Sequence, residues 1–511
     1  MSRLQYQGAV YTAAPGETLL DALQRQGAEI NHSCRKGSCG CCQIRLLDGS
    51  VDTLRDVDAS LTRDDHVLCC VSVPRGDVTL ALPDPSHRPQ PVELLARTQL
   101  AQDIYALDLA PLNMLDFRAG QHVHLIREDG LARPYSIVSL PEDDFFFRIH
   151  VRRLGEMSTW LCEQARIGER MHLRGPAGEC HYGDDLRERP LLMLATGAGA
   201  GALAAIARDA LARGHAAPIE FHHGVRDAGS LYLDVELRAM AQRHPNFRYL
   251  PCVSSEPVPG IAHGRIVAHA LENRSGLAGH VLLLCGLPTM VEDARVAAAL
   301  AGIPRERVLA DPFDFTHKPH PRDAEKVAAM PADPELWAAL EEGPGLTRLL
   351  EAFYARVYED PRLSPFFHNV TRDWAVQKQY EFLSNLFNGN KAYFGLNPYN
   401  AHHWMVISDE LFDYREALFE TVLREAGLAP ELIRRWLALH ERFRAEIVKG
   451  APRGMILSGV EQPLHTLSVQ RLTIDAVCDS CHQEILAGAP SRYQYRLGTL
   501  HCAACAGIAD A

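Results

Sequence analysis

Fourteen cysteines and one pair of adjacent histidines are the residues of this 511-residue chain best equipped for chemistry. Four cysteines fall in CRKGSCGCC, residues 34–42, and two more in VLCCVSVP, at 69–70. Cys34, Cys39 and Cys42 stand in C-x4-C-x2-C spacing, and Cys70 supplies a distant fourth thiolate. A two-iron, two-sulfur cluster needs four thiolates, and a glycine-rich wrap lets backbone amides turn inward onto its sulfides. Gly37 and Gly40 suit that wrap, and Cys41 and Cys69 are left as bystanders. At the other end, CDSC (478–481) and CAAC (502–505) bring Cys478, Cys481, Cys502 and Cys505. Two such knuckles suit tetrahedral Zn2+, with rubredoxin-like iron as the alternative. Four thiolates leave no open coordination position, so this site reads as structural or as a docking patch. His482 and His501 are neighbours of the ligands. The histidine pair lies in NAHHWMVISDE, residues 400–410. In or beside a helix adjacent side chains point roughly 100° apart, so only one of the two can face a given plane.

Compartment favours metals over disulfides. The N-terminal MSRLQYQGAVYTAAPGE has no apolar stretch after Arg3, so no export signal is expected and the thiols are those of a cytoplasmic protein. The longest apolar run, PLLMLATGAGAGALAAIA over 190–207, is broken by Gly197, Gly199 and Gly201 and suits strand, turn and helix better than a bilayer span. A formal net charge of −12 argues against nucleic acid or anionic membrane as partner. The composition, 47% hydrophobic and 23% charged, is globular, and the length calls for three to five domains.

Several elements must position these groups. A proline-rich stretch, LPDPSHRPQPVE (82–93), closes the first cysteine module, and β-rich sequence follows with ARPYSIVS (132–139) and HVRRLGEMSTWL (150–161). LLMLATGAGAGAL then reads as a buried strand running into a glycine-rich helix start, where backbone amides meet dinucleotide phosphates. From 335 the texture turns helical. LTRLLEAFYARVYEDPRLSPFF (346–367) is apolar at 349, 350, 353 and 357 before a turn at Asp360-Pro361, and RDWAVQKQYEFLSNLFNG (372–389) repeats the period and stops at Gly389. Ser408 is placed to cap the next helix, with Asp409 and Glu410 in its first turn.

On these motifs residues 1–88 resemble plant-type ferredoxins, which implies an α+β, β-grasp fold with the cluster on Cys34, Cys39, Cys42 and Cys70. Residues 92–187 and 188–320 resemble the ferredoxin–NADP reductase superfamily, implying a β-barrel FAD domain and an α/β NAD(P)H domain. The resemblance implies that Arg133 pairs with the FAD pyrophosphate, Tyr135 packs on the isoalloxazine and Ser136 lies near its reactive nitrogen. It implies that Gly155, Met157 and Ser158 open a helix whose amides take the phosphate. Thr196, Gly197, Gly199, Cys285 and Gly286 fall to the nicotinamide nucleotide, with FHHGVRDAGSLYL (221–233) and HVLLLCGLPTMVEDA (280–294) as supporting segments. Phe313, in ADPF (310–313), would cover the flavin face. Ala202 stands where the family often has proline, and NADH is favoured over NADPH because no basic cluster awaits a 2′-phosphate.

After a linker over 321–344, residues 345–450 resemble the all-α truncated globins, on the series FY, DPRLSPFF, QKQ and EF in order and spacing. In that family the haem-binding histidine is followed at five residues by Ile, then by Ser or Thr, an acid and, at ten, Phe. His402 gives Ile407, Ser408, Glu410 and Phe412, whereas His403 fails at every step. The resemblance implies haem b on His402, with His403 a solvated or second-shell partner. It also implies Tyr354 and Gln379 as two donors over the iron and Phe367 against the porphyrin. A second linker, 451–475, leads to a small zinc ribbon over 476–511. The whole resembles flavohaemoglobins in logic: a multidomain oxidoreductase passing electrons from NAD(P)H through FAD and the 2Fe-2S cluster to haem. Nitric oxide dioxygenation to nitrate is the expected reaction, with O2 and NO as small-molecule partners. Two alternatives stay open. One is a reductase for a separate oxygenase, with the globin as oxygen store or regulator. The other is a haem gas sensor whose zinc ribbon contacts a protein partner.

Overall fold

The computed structural model describes every residue except 1, 15, 29, 31, 33–36, 38, 39, 41, 55, 56, 58–61, 63, 64, 84–88, 143–145, 273, 275, 314–321, 368, 369, 391–394, 450–452, 458, 459, 463–466, 472–474, 479, 482, 495–498 and 509–511. The chain forms two compact units, residues 1–318 with 434–442, and residues 319–433 with 443–511. Among the described residues no helix is long and apolar enough to cross a membrane.

The first unit opens with a five-stranded sheet ordered Ala9–Ala13, Ser2–Tyr6, Val78–Ala81, Gln43–Asp48, His66–Leu68. Ser2–Tyr6 pairs antiparallel with Ala9–Ala13 and parallel with Val78–Ala81. Period-two alternation turns Leu4 and Tyr6 inward. Helix Leu19–Arg25, capped by the Thr18 hydroxyl, lays Leu19, Leu20, Ala22 and Leu23 over them. This is the expected β-grasp.

Six antiparallel strands follow, ordered Ala132–Ser136, His122–Ile126, Arg170–Ala177, Gln90–Gln99, Ile104–Pro111, Phe147–Arg152. A bridge between Ile137 and Ile149 joins the two ends of the sheet into a barrel, filled by Val92, Leu94, Leu107, Val123 and Ile149. The next sheet is parallel throughout, ordered Ala262–His263, Phe247–Val253, Ile219–Val225, Leu191–Thr196, Val281–Gly286, Val308–Pro312. Strand order reverses between Leu191–Thr196 and Val281–Gly286, which opens a crevice at their carboxyl ends. Helix Gly199–Ala212 starts at that crevice and is buried along its first nine residues, Gly199 to Ala207.

In the second unit, helix Pro344–Glu359 buries Leu346, Leu349, Leu350, Phe353, Tyr354 and Val357 at helical spacing. Helix Arg372–Asn388 packs on it and stops at Gly389, whose φ of 75° is the left-handed stop. Helix Asp409–Glu425 brings Phe419 edge-on to Phe353, ring centroids 4.9 Å apart. Two stretches expected to be linkers are structured. Residues 321–344 carry helices Asp323–Ala329 and Pro334–Ala339, which bury Leu336 and Leu340. Pro334 breaks nothing there, because it occupies the first turn, where its missing N–H is not needed, and Asp333 caps the helix. Residues 451–475 carry the hairpin Ile456–Leu457 with Val460–Glu461, and strand Leu467–Arg471. That last strand pairs with Pro490–Gln494, which pairs with Thr499–Cys502, so the C-terminal sheet begins before residue 476.

Candidate functional site

At the crevice, Thr196 ends one strand and Gly286 ends its neighbour. A Cβ on Gly286, at φ 132°, would lie 2.2 Å from Thr196 Oγ1 and 2.5 Å from the Thr196 carbonyl oxygen, so only glycine fits. Thr196 Oγ1 accepts from the Leu287 N–H at 2.9 Å. A Cβ on Gly199 would meet the Cys285 carbonyl oxygen at 2.4 Å, and Gly197 turns the chain at φ 56°. Thr196, Gly197, Gly199, Cys285 and Gly286 are therefore packed together where the two strands end and the helix begins, and bare backbone at such a helix start suits a dinucleotide phosphate.

On the barrel side, Ser136 donates its hydroxyl to Asp311 Oδ2 at 2.6 Å, and the Cys285 thiol reaches the same oxygen at 3.9 Å. Asp311 pairs with Cys285 across the two strands that carry them. It thus joins the serine expected at the flavin to the cysteine expected at the nicotinamide. Sequence reasoning gave Asp311 no role, although ADPF contains it, because the pairing that aims it is long-range. Cys285 is fully buried; burial first, and Asp311 second, raise its thiol well above the ordinary range, so it keeps its proton. Phe313, half-buried, donates its N–H to the Gly286 carbonyl at 2.8 Å. Arg133 Nη1 donates to the Ala132 carbonyl at 2.7 Å, and burial raises the Tyr135 hydroxyl. Ser158 Oγ accepts from the Leu154 and Gly155 amides at 3.0 and 2.9 Å, so its hydroxyl is committed to the turn that starts helix Glu156–Thr159, where Met157 is buried.

Cys42 and Cys70 are buried side by side, with the Cys70 N–H donating to Cys42 Sγ at 3.4 Å. Cys34 and Cys39 lie outside the described residues. Gly37 and Gly40 take φ of 74° and 66°, the left-handed turns that a tight wrap requires. Adjacent thiols with an N–H on sulfur fit one half of a four-thiolate cluster site. Cys69 is fully buried, and burial followed by the neighbouring Cys42 raises its thiol well above the usual range.

His402 follows the short helix Pro398–Ala401, and its Nδ1 lies 2.9 Å from the Pro398 carbonyl oxygen. A carbonyl only accepts, so the proton sits on Nδ1 and Nε2 keeps a lone pair. Burial lowers the imidazole pKa to about 4, which keeps the ring neutral. Of the two alternatives for His403, the solvated one does not hold: it is 4% exposed, with Nδ1 2.7 Å from the Asn400 carbonyl, because the turn after Ala401 folds it inward. Tyr354 donates its hydroxyl to Gln379 Oε1 at 2.7 Å, and its ring stands edge-on to Phe367 at 5.7 Å. The two expected donors are therefore one donor steadied by the other: the phenol proton is taken, and the Gln379 amide N–H group is left to donate. Ser408 Oγ accepts from the Leu411 N–H at 3.0 Å and caps helix Asp409–Glu425. An imidazole lone pair, an aromatic wall and a polar amide are a donor set that fits iron porphyrin.

In the tail the sulfurs of Cys478, Cys481, Cys502 and Cys505 all lie within 4.8 Å of one another. Burial alone would raise the Cys478 thiol, but the backbone N–H groups of Cys502, Cys481 and Ser480 bring it down to about 6. A thiolate at neutral pH among three further thiols fits a tetrahedral ion. His501 Nδ1 is 2.9 Å from Ser480 Oγ, and His482 lies outside the described residues.

Four family models match the chain. They are a 2Fe-2S iron-sulfur cluster binding domain over residues 3–75, an oxidoreductase FAD-binding domain over 91–182, an oxidoreductase NAD-binding domain over 193–296 and a bacterial-like globin over 337–449. The reductase subunit of an aromatic O-demethylase from an Amycolatopsis species is 33% identical over 294 residues, covering 54% of this chain and 88% of that protein. Reductase component 1 of a terephthalate 1,2-dioxygenase from a Comamonas species is 30% identical over 318 residues, covering 59% and 94%. Among solved structures, an Amycolatopsis cytochrome P450 reductase is similar with a TM-score of 0.45 and 29% identity, over 61% of this chain and 99% of that one.

Proposed function

The chain belongs to the NAD(P)H-dependent reductases that join a 2Fe-2S domain to FAD- and NAD-binding domains, here with a bacterial-like globin attached, and from that premise we propose that its electrons end on its own haem, in nitric oxide dioxygenation to nitrate. NAD(P)H gives two electrons as a hydride, FAD divides the pair, the cluster carries single electrons, and haem iron supplies the centre for O2 and NO chemistry. The chain's residues do the rest. The glycine cradle at Thr196 and Gly286 seats the nucleotide phosphates, with NADH as the preferred donor. Ser136, Asp311 and Cys285 hold the hydride-transfer partners in register, and the protonated thiol adds no charge there. His402 offers Nε2 to iron. The Gln379 amide, fixed by Tyr354, donates toward negative charge that develops on a bound ligand, and Phe367 helps to keep water away. The four tail thiols hold structural Zn2+.

The observation that carries this reading is the 2.7 Å Tyr354–Gln379 bond, a polar grip suited to an oxygen ligand, in the same chain as a complete reductase. The test is aerobic NADH consumption with and without NO, on wild type and His402→Ala. NO-stimulated consumption with nitrate as product, lost in His402→Ala while flavin reduction persists, is the expected result. Unchanged consumption under NO overturns it. The names of the relatives favour a second reading, a reductase serving a separate oxygenase. Its mark is reduction of an external acceptor at full rate in His402→Ala with no nitrate formed by wild type.

A further inference from the structure

The loop that carries His402 is held by chain outside the globin match, which ends at residue 449. Asn400 Nδ2 donates to the Ile456 carbonyl and Asn400 Oδ1 accepts from the Ile456 N–H, each at 2.9 Å, the two-point pairing by which neighbouring strands bind. The Arg453 N–H donates to the His403 carbonyl at 2.9 Å, and its guanidinium stands 3.5 Å over the Tyr399 ring. Lys449, the last matched residue, donates its backbone N–H to the Ile407 carbonyl at 2.9 Å and its Nζ to the His402 carbonyl. The segment itself is anchored. Met455 is 2% exposed, and the Gln462 N–H donates to its carbonyl at 2.8 Å. From the other direction Asp323, ahead of the match, accepts the Tyr399 N–H at 2.7 Å.

Resting on the reading that His402 binds haem iron, we propose that residues 453–456 form a strap that positions the iron–histidine bond, with Asn400 as its anchoring partner. Pro398, which fixes the His402 ring, and Asn400 share one helical turn with His402, so a pull on the imidazole displaces the whole turn. The strap resists that displacement at Tyr399, Asn400 and His403 together. Were haem held at His402, a ligand that draws the iron away would load that imidazole, and the strap would hold the turn in place. Asn400 acts through His402 and is a positioning residue.

The test uses the full chain, loaded with haem, reduced and exposed to NO. The superhyperfine pattern of its electron paramagnetic resonance spectrum reports whether imidazole is still bound, and the resonance Raman iron–histidine band of the ligand-free ferrous form reports the bond itself. Wild type keeps the imidazole splitting. Asn400→Ala, which removes both contacts to Ile456, moves half or more of the NO form to five-coordinate haem at equal haem content and lowers the iron–histidine frequency. Ile456→Pro, which deletes the N–H from outside the globin match, gives the same shift and decides the question if Asn400→Ala takes up no haem. A merely structural role lowers the melting temperature and leaves both spectra alone, and unchanged spectra in the variants overturn the strap. Absence of imidazole splitting in wild type overturns the strap alone, whereas an iron–histidine band missing from ligand-free wild type, or persisting in His402→Ala, overturns the assignment of His402 and the strap with it.

Discussion

Tyr354 commits its proton to Gln379, which on the proposed function makes the amide the group that meets a ligand and the phenol its brace. Tyr354→Phe leaves the amide unheld, so the oxygen dissociation rate rises severalfold, on the scale of one hydrogen bond of about 0.5–1.5 kcal/mol. Gln379→Leu costs less, because the released phenol can take the amide's place; stopped-flow oxygen release measures both. Burial pushes the Tyr354 hydroxyl up to about 12, so the wild-type rate does not vary between neutral pH and mild alkali. Asp311→Asn removes the charge that takes the Ser136 proton, and a bond to a charged group is worth about 1.5–3 kcal/mol. Flavin reduction by NADH, followed at its absorbance maximum, then slows by roughly ten- to a hundredfold. The two globin side chains were legible because their spacing follows a family series. Asp311 was not, because its partner Ser136 lies 175 residues away and only strand pairing brings them together.

Two element ends carry sharp expectations. Gly286→Ala forces a Cβ onto the Thr196 hydroxyl and carbonyl, so NADH no longer reduces the flavin while FAD content stays at the wild-type level. Absorbance of the purified variant, before and after NADH, separates the two effects. Ser408→Ala removes the cap of helix Asp409–Glu425 and costs about 1 kcal/mol, read as a lower urea midpoint of the haem signal. Both ends were legible, the first through the resemblance of HVLLLCGLPTMVEDA to the reductase family and the second as a serine before two acids. The helices Asp323–Ala329 and Pro334–Ala339 were not. Helices that short have little stability of their own and exist through burial of residues such as Leu336, which no local pattern announces.

For the molecule as a whole, acid is the clearest threat. Burial lowers His223 and His402 from 6.5 to about 4, so the folded chain refuses protons that the unfolded chain accepts. The stability each contributes is intact above pH 6.5 and is lost as pH falls toward 4, at up to about 1.4 kcal/mol per pH unit for each histidine. Urea midpoints of haem-free protein at pH 7.5 and 5.5 check the sign. On the proposal that the tail thiols hold Zn2+, Cys478→Ser abolishes bound zinc, measured by elemental analysis, and leaves NADH-driven ferricyanide reduction unchanged. The bond from His402 to Pro398 has one more consequence, for assembly. In haem-free protein the imidazole already carries its one proton away from the iron side, so binding iron displaces none from it. Reduced haem, which brings no hydroxide of its own, should enter at one rate between pH 6.5 and 8.5.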